Sequence, residues 1–197
     1  MEHTLFTTEQ RALLRLHWQP GSVMHTDWWH YLSLENWKTA YQQPTMQPAI
    51  DTLIIQRRGF SCCPTLDQLS TQQSMFLSMS PHLDKLLTAL GLIALRCPVY
   101  LLLQPFRDQL APVLDTAACQ QILSLSTEWQ KDAPQCTAEQ LADYALRIGL
   151  RWWLQQNQCP VTQLLATRYS PDQHLDTDAA MTTGDALHWL MKLWRYL

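Results

Sequence analysis

LDKLLTALGLIALRCPVYLLL, residues 83–103, is the most apolar stretch of the chain and settles its architecture. From Leu86 to Leu103 it approaches the ~20 apolar residues that a bilayer-spanning helix needs. Arg96 stands in its middle, and Pro98 breaks a helix two residues later because proline has no N–H to give to the helical ladder. The stretch therefore predicts two helices joined near Cys97 and Pro98 and buried in a soluble core, not a membrane span. On the first helix Leu83, Leu86, Leu87, Leu90 and Ile93 share one apolar face. Ser80 and Pro81 before it predict an N-cap with proline at the first helical position.

Working outward, the next strong signal is the segment from Thr137 to about Gln156. Thr137 and Gln140 have the spacing of a capping box. At about 100° per residue, Leu141, Tyr144, Ala145, Ile148 and Trp152 gather on one face, and Leu146, Leu150 and Trp153 cover much of the rest. Gln140, Asp143, Arg147 and Arg151 leave a narrow polar stripe, so this helix is predicted to be central, with Trp152 and Trp153 in the core. Asp27 predicts a cap for a helix through WWHYLSLENWKTAY, ended before Pro44. Residues Ala49–Arg58 read as helix or strand. A short helix is predicted from Pro105 to Leu114, and Asp115 caps another that carries Ile122, Leu123 and Leu125. Asp185 starts a terminal helix in which His188, Lys192 and Arg195 form one basic stripe, with Leu187, Leu190, Leu193, Trp194 and Leu197 on the opposite side.

Five isolated glycines, at 21, 59, 91, 149 and 184, are too few for a turn-rich β architecture. The fold class expected is all-α, a single compact multi-helix domain over residues 1–197. It comprises an N-terminal segment 1–20, a long loop 59–80 with at most a helical turn or two, and an acidic loop 170–184.

Composition narrows the function. Hydrophobic residues make up 47% of the chain, with nine tryptophans, but charged residues only 16%, against roughly 25% in an average soluble domain. A weakly charged, aromatic-rich chain fits either work inside an assembly or a snugly folded monomer with a large core. The net charge is −3 and the basic residues are scattered, so a nucleic acid, whose binding needs many cations to displace counterions, is not the expected partner. The N-terminus has neither a basic start nor an apolar run of the kind a secretion signal carries, so the six cysteines are read as free thiols in a reducing compartment.

No phosphate-cradling glycine loop, nucleophile elbow, H-E-x-x-H or C-x-x-C occurs. Three constellations bear chemistry-capable residues: Cys62 and Cys63 with His82; His25, Asp27 and His30; and Cys119 with Glu128 and Cys136. Adjacent cysteines rarely point the same way, the two histidines straddle a cap, and nothing orients Cys119. No catalytic residue, cofactor or metal ligand is predicted. The basic stripe of His188, Lys192 and Arg195 reads as a solvated face favoured by the helix dipole or, more sharply, as a surface for an acidic partner.

Two patches carry a family resemblance. Leu86–Arg96, LLTALGLIALR, holds Leu90-Gly91-Leu92, and Ala145–Leu154, ALRIGLRWWL, sets Gly149 and Leu150 just before an aromatic pair and a leucine. Between them lie short helices and a Gln-rich stretch ending in Thr127-Glu128-Trp129, and a Cys-Pro with a short apolar run follows. In this order and spacing the chain resembles the K component of the bacterial type III secretion sorting platform, the SctK family. The likeness covers residues 80 to 170 and extends loosely to Trp18, Pro20, Trp28 and Trp29. It implies an all-helical cytoplasmic adaptor without cofactor, peripheral to the inner-membrane apparatus. Its partners would be the pod component and the cytoplasmic domains of the inner-membrane ring. Two other readings stay open: a cytosolic thiol- or metal-dependent enzyme and a secretion chaperone.

Overall fold

The computed structural model describes residues 6–60, 69–126, 128–130, 134–172 and 184–197. Among them the chain is all-α, as expected. Its helices are α1 (Thr8–Trp18), α2 (Pro20–Val23), α3 (Asp27–Tyr31), α4 (Glu35–Lys38), α5 (Gln47–Arg58), α6 (Thr71–Met79) and α7 (Leu83–Leu95). They continue with α8 (Val99–Leu102), α9 (Gln104–Leu110), α10 (Thr116–Leu125), α11 (Leu141–Gln156), α12 (Pro160–Ala166) and α13 (Ala186–Tyr196). The residues fall into two compact units, Met1–Pro81 with Gln158–Leu175, and His82–Asn157 with Asp176–Leu197.

In the first unit, α1 starts with a capping box: the Thr7 hydroxyl accepts from Gln10 N at 3.1 Å and the Gln10 side chain accepts from Thr7 N at 2.9 Å. Its far end is closed from α5. The buried Arg58 guanidinium donates to Leu16 O at 3.0 Å and His17 O at 3.3 Å, carbonyls that a helix terminus leaves without an intrahelical donor. On the same helix the buried Asp51 carboxylate accepts from Gly21 N at 3.0 Å and from the Tyr41 hydroxyl at 3.1 Å. These bonds tie α1, α2 and α5 around a core of Trp28, Trp29, Leu32, Leu34, Ile50 and Ile54.

The helix expected from Asp27 through Tyr41 is broken into α3, α4 and a 3₁₀ turn. Ser33 takes a left-handed φ of 55° at the break. Trp28, Trp29 and Leu32 lie on one helical face, but Leu34 would point away from it. The turn at Ser33 brings Leu34 inward, where it is fully buried. Asp27 does not cap: Thr26 holds the N-cap position, and the Asp27 carboxylate accepts from the Ser170 hydroxyl at 2.6 Å. Ala49–Arg58, open between helix and strand, lies in α5, which Gly59 ends at a left-handed φ of 65°. Within the expected loop 59–80, Thr71–Met79 is helix. The Ser70 hydroxyl and the Gln73 side chain form its capping box, and Phe76, Leu77 and Met79 are buried. Three apolar anchors among Ser and Gln suffice once neighbours exist to receive them. Residues 61–68 of that loop and 173–183 of the acidic loop lie outside the described residues. Beyond α12, Thr167 O accepts from His25 N at 2.8 Å and Tyr169 O from Trp28 Nε1 at 2.9 Å, which joins this late segment to α3.

The second unit is organised by α7 against α11. The helix break near Cys97 and Pro98 is present: α7 ends at Leu95, Arg96 adopts φ 51°, and α8 begins at Val99. Ser80 is not the cap of α7, which starts after His82. The Ser80 carbonyl and hydroxyl instead accept from Arg168 Nη1 at 2.9 and 3.2 Å. Pro105–Leu114 shortens to α9, and Asp115 caps α10 by accepting from Ala118 N at 2.7 Å, as expected. The capping box at Thr137 does not form; Gln140 N bonds the Thr137 carbonyl in a turn, and α11 starts at Leu141.

The two helices meet at their glycines. A Cβ on Gly91 would stand 1.8 Å from Ala145 O, and one on Gly149 would stand 1.9 Å from Leu87 O. Backbone touches backbone there, which only glycine permits. Around this crossing Leu86, Leu87, Leu90, Leu141, Ala145, Leu150 and Trp153 are at most 1% exposed. Arg151, placed in a polar stripe by helical periodicity, is buried, while Gln140 and Asp143 are exposed and Arg147 half-buried. The stripe ends where α11 enters the core.

Candidate interaction surface

The terminal helix α13 begins where Asp185 accepts from His188 N at 3.1 Å. Ala186, Leu190 and Leu193 are buried, so the direction opposite them faces water. Of the basic stripe, His188 and Arg195 are exposed there. Lys192 is half-buried: its ammonium donates to Leu125 O at 2.8 Å and lies 4.6 Å above the Trp189 ring. That places a cation at the C-terminal carbonyl of α10, where the helix dipole favours it. Lys192 thus couples α13 to α10, and the outward face keeps the Arg195 guanidinium and the His188 imidazole.

Two further residues join this face: Met191, which was not singled out from the sequence, and Trp194, which was placed elsewhere on the helix. Met191 is 51% exposed, between His188 and Arg195. Trp194, expected on the core side with Leu190 and Leu193, is 38% exposed, its ring tilted against His82 at 5.8 Å. Their spacing is legible: Met191 follows His188 by three and precedes Arg195 by four, which puts all three on one side. The resulting patch joins a guanidinium and an imidazole to an indole ring and a flexible thioether, and Arg, Trp and Met are residue types enriched in protein interfaces.

Of the chemistry-capable constellations, the two that lie wholly among the described residues are not brought together as sets of three. Cys62 and Cys63 lie outside the described residues. The His25 ring sits 3.4 Å from the Asp27 carboxylate, whereas His30 pairs with Glu35. Cys119 donates weakly to Leu114 O, Cys136 touches the Tyr100 hydroxyl, and Glu128 pairs with Arg96 at 3.2 Å. Burial pushes the Cys119 thiol up, away from the thiolate a nucleophile needs. Among the described residues no group of three such side chains is placed to hold a metal ion, and no helix is long and apolar enough to cross a membrane.

Fold and surface together define a helical protein whose distinguishing chemistry lies in a glycine-packed core and an exposed aromatic-basic face. Over residues 11–171 the chain matches the family model described as a type III secretion system subunit, and it belongs to that family. No curated protein and no solved structure matches it.

Proposed function

We propose that this type III secretion subunit is the K-type adaptor of the sorting platform. In this reading it works in the cytoplasm without catalysis or cofactor and joins the pod component to the cytoplasmic domains of the inner-membrane ring. The observation that carries the reading is the match over residues 11–171, which encloses both patches of the SctK resemblance. Those patches, Leu86–Arg96 and Ala145–Leu154, contain the two glycines at the α7–α11 crossing. The resemblance therefore lies in a core seam that maintains a shape, which suits a binding protein. We assign partner binding to the outward face of α13, with Arg195 as its cation, His188 as its hydrogen-bonding imidazole, Lys192 at its edge, and Met191 and Trp194 as apolar anchors. An acidic partner surface is its electrostatic complement.

Affinity purification of the tagged chain from its host under crosslinking, followed by mass spectrometry, tests the reading. Recovery of the pod component and the ring protein is expected, with crosslinks on α13 lost in a His188→Glu, Arg195→Glu variant. Purification of the chain with neither partner overturns the adaptor role. Recovery of both partners with α13 crosslinks unchanged in the variant overturns the surface assignment alone.

A further inference from the structure

We propose that an open cavity in the first unit binds the C-terminal carboxylate of a peptide whose last side chain is apolar. The cavity measures about 250 Å³ and is lined by Ala12, Arg15, Leu16, Val23, Ser80 and Arg168. Its polar groups are two guanidinium ions and a hydroxyl; the other three side chains are apolar, and no carboxylate stands among the described lining residues. The net field inside is positive, so an anion is the charge-complementary occupant.

Arg168 is held in place, its Nη1 donating to both oxygens of Ser80. A fixed guanidinium fork matches the two oxygens of a carboxylate and loses little freedom on binding it. Arg15 projects from α1 as an exposed side chain and supplies the second cation at the rim. Apolar walls discriminate between anions. A phosphate would leave Ala12, Leu16 and Val23 against a hydrated ion, whereas a terminal Leu, Val or Ile covers them as its carboxylate meets the arginines. The volume lies below the roughly 300–1,000 Å³ of sites for drug-sized ligands, so it admits one terminal residue and not a folded element. Capture of a chain terminus by fixed donors is an established mode of peptide recognition. The proposal does not rest on the adaptor reading, since its residues lie in the first unit and α13 in the second.

The test titrates the ¹⁵N-labelled full chain with N-acetyl-leucine, a carboxylate on an apolar body, and with N-acetyl-leucinamide, its uncharged twin. The acid is expected to shift the backbone amides of Ala12, Leu16 and Val23 and to bind on the order of tenfold tighter than the amide. Arg15→Gln, at an exposed position, is expected to cut that preference severalfold, Arg168 supplying the rest, while the remainder of the spectrum stays unchanged. Equal binding of acid and amide, or an undiminished preference in Arg15→Gln, overturns the proposal. Shifts of the same amides by inorganic phosphate at equal concentration also overturn it, by reducing the cavity to a general anion site.

Discussion

Gly91→Ala adds one methyl group where the backbones of α7 and α11 touch, and that methyl would lie 1.8 Å from Ala145 O. Ordinary contact begins near 3.4 Å, so the carbonyl must retreat by roughly 1.5 Å. It belongs to a hydrogen-bonded helix and cannot swing aside like a flexible side chain, so the helices themselves must part. A gap of about 0.5–1 Å already forfeits a quarter to a half of each dispersion contact across it. The side chains around the crossing, among them Leu87, Leu90, Leu141, Leu150 and Trp153, are fully buried. Overpacking costs about 1–3 kcal/mol where neighbours can yield, and here the upper end applies. Alanine returns up to ~1 kcal/mol through its better helix propensity. The expected net loss is about 2 kcal/mol. Urea unfolding followed by tryptophan fluorescence should then show the midpoint falling by about 1 M, given a slope near 2 kcal/mol/M. Gly149→Ala should behave alike, and the double variant should lose less than the sum because both methyls open one seam. Gln155→Ala, exposed on the same helix, serves as the control and should stay within about 0.5 kcal/mol of the parent. An unchanged or raised midpoint for Gly91→Ala would mean that helix propensity outweighs the contact and that the seam is looser than described.

Trp153→Ala removes a fully buried indole and should cost about 3–5 kcal/mol, read as loss of soluble protein or a collapsed unfolding midpoint. His17 is held below its ordinary pKa, first by burial and then by the Arg58 charge, so the unfolded chain binds its proton more readily. Stability should therefore rise with pH from the depressed folded value up to about 6.5 and fall on acidification through that window, and His17→Gln should flatten this part of the pH–stability curve. Arg195→Ala should leave the unfolding midpoint within about 0.5 kcal/mol of the parent, because its side chain is exposed. Lys192→Ala should lower it by about 1–3 kcal/mol, the cost of leaving Leu125 O without its donor.

Local signals in the sequence held where the physics is local. Pro98 bars a continuous helix through its ring and missing N–H, α7 ending three residues before it at Leu95, and Asp115 and Asp185 cap helices through a donor three residues away. All three could be read without knowing what lies across the fold. Ser80, Asp27 and Thr137 carry the same kind of signal, yet none of them N-caps a helix in the structure. Arg168 claims the oxygens of Ser80, and Ser170 donates to Asp27, from 88 and 143 residues away. A competing partner that distant in the chain leaves no trace in a window of ten residues.

The face of α13 shows the same division. Helical periodicity puts His188, Met191 and Arg195 on one side, but only the carbonyl at the end of α10 draws Lys192 out of that group. The break at Ser33 brings Leu34 into a core that is assembled from other parts of the chain. Class, helix-breaking proline and the capping aspartates of α10 and α13 were written in residue types and short spacings, since they depend on backbone chemistry within one turn. Why Gly91 and Gly149 must be glycine, which charged side chains are buried, and which cations remain exposed depended on the tertiary structure, since each answer is set by atoms brought close by the fold from far along the chain.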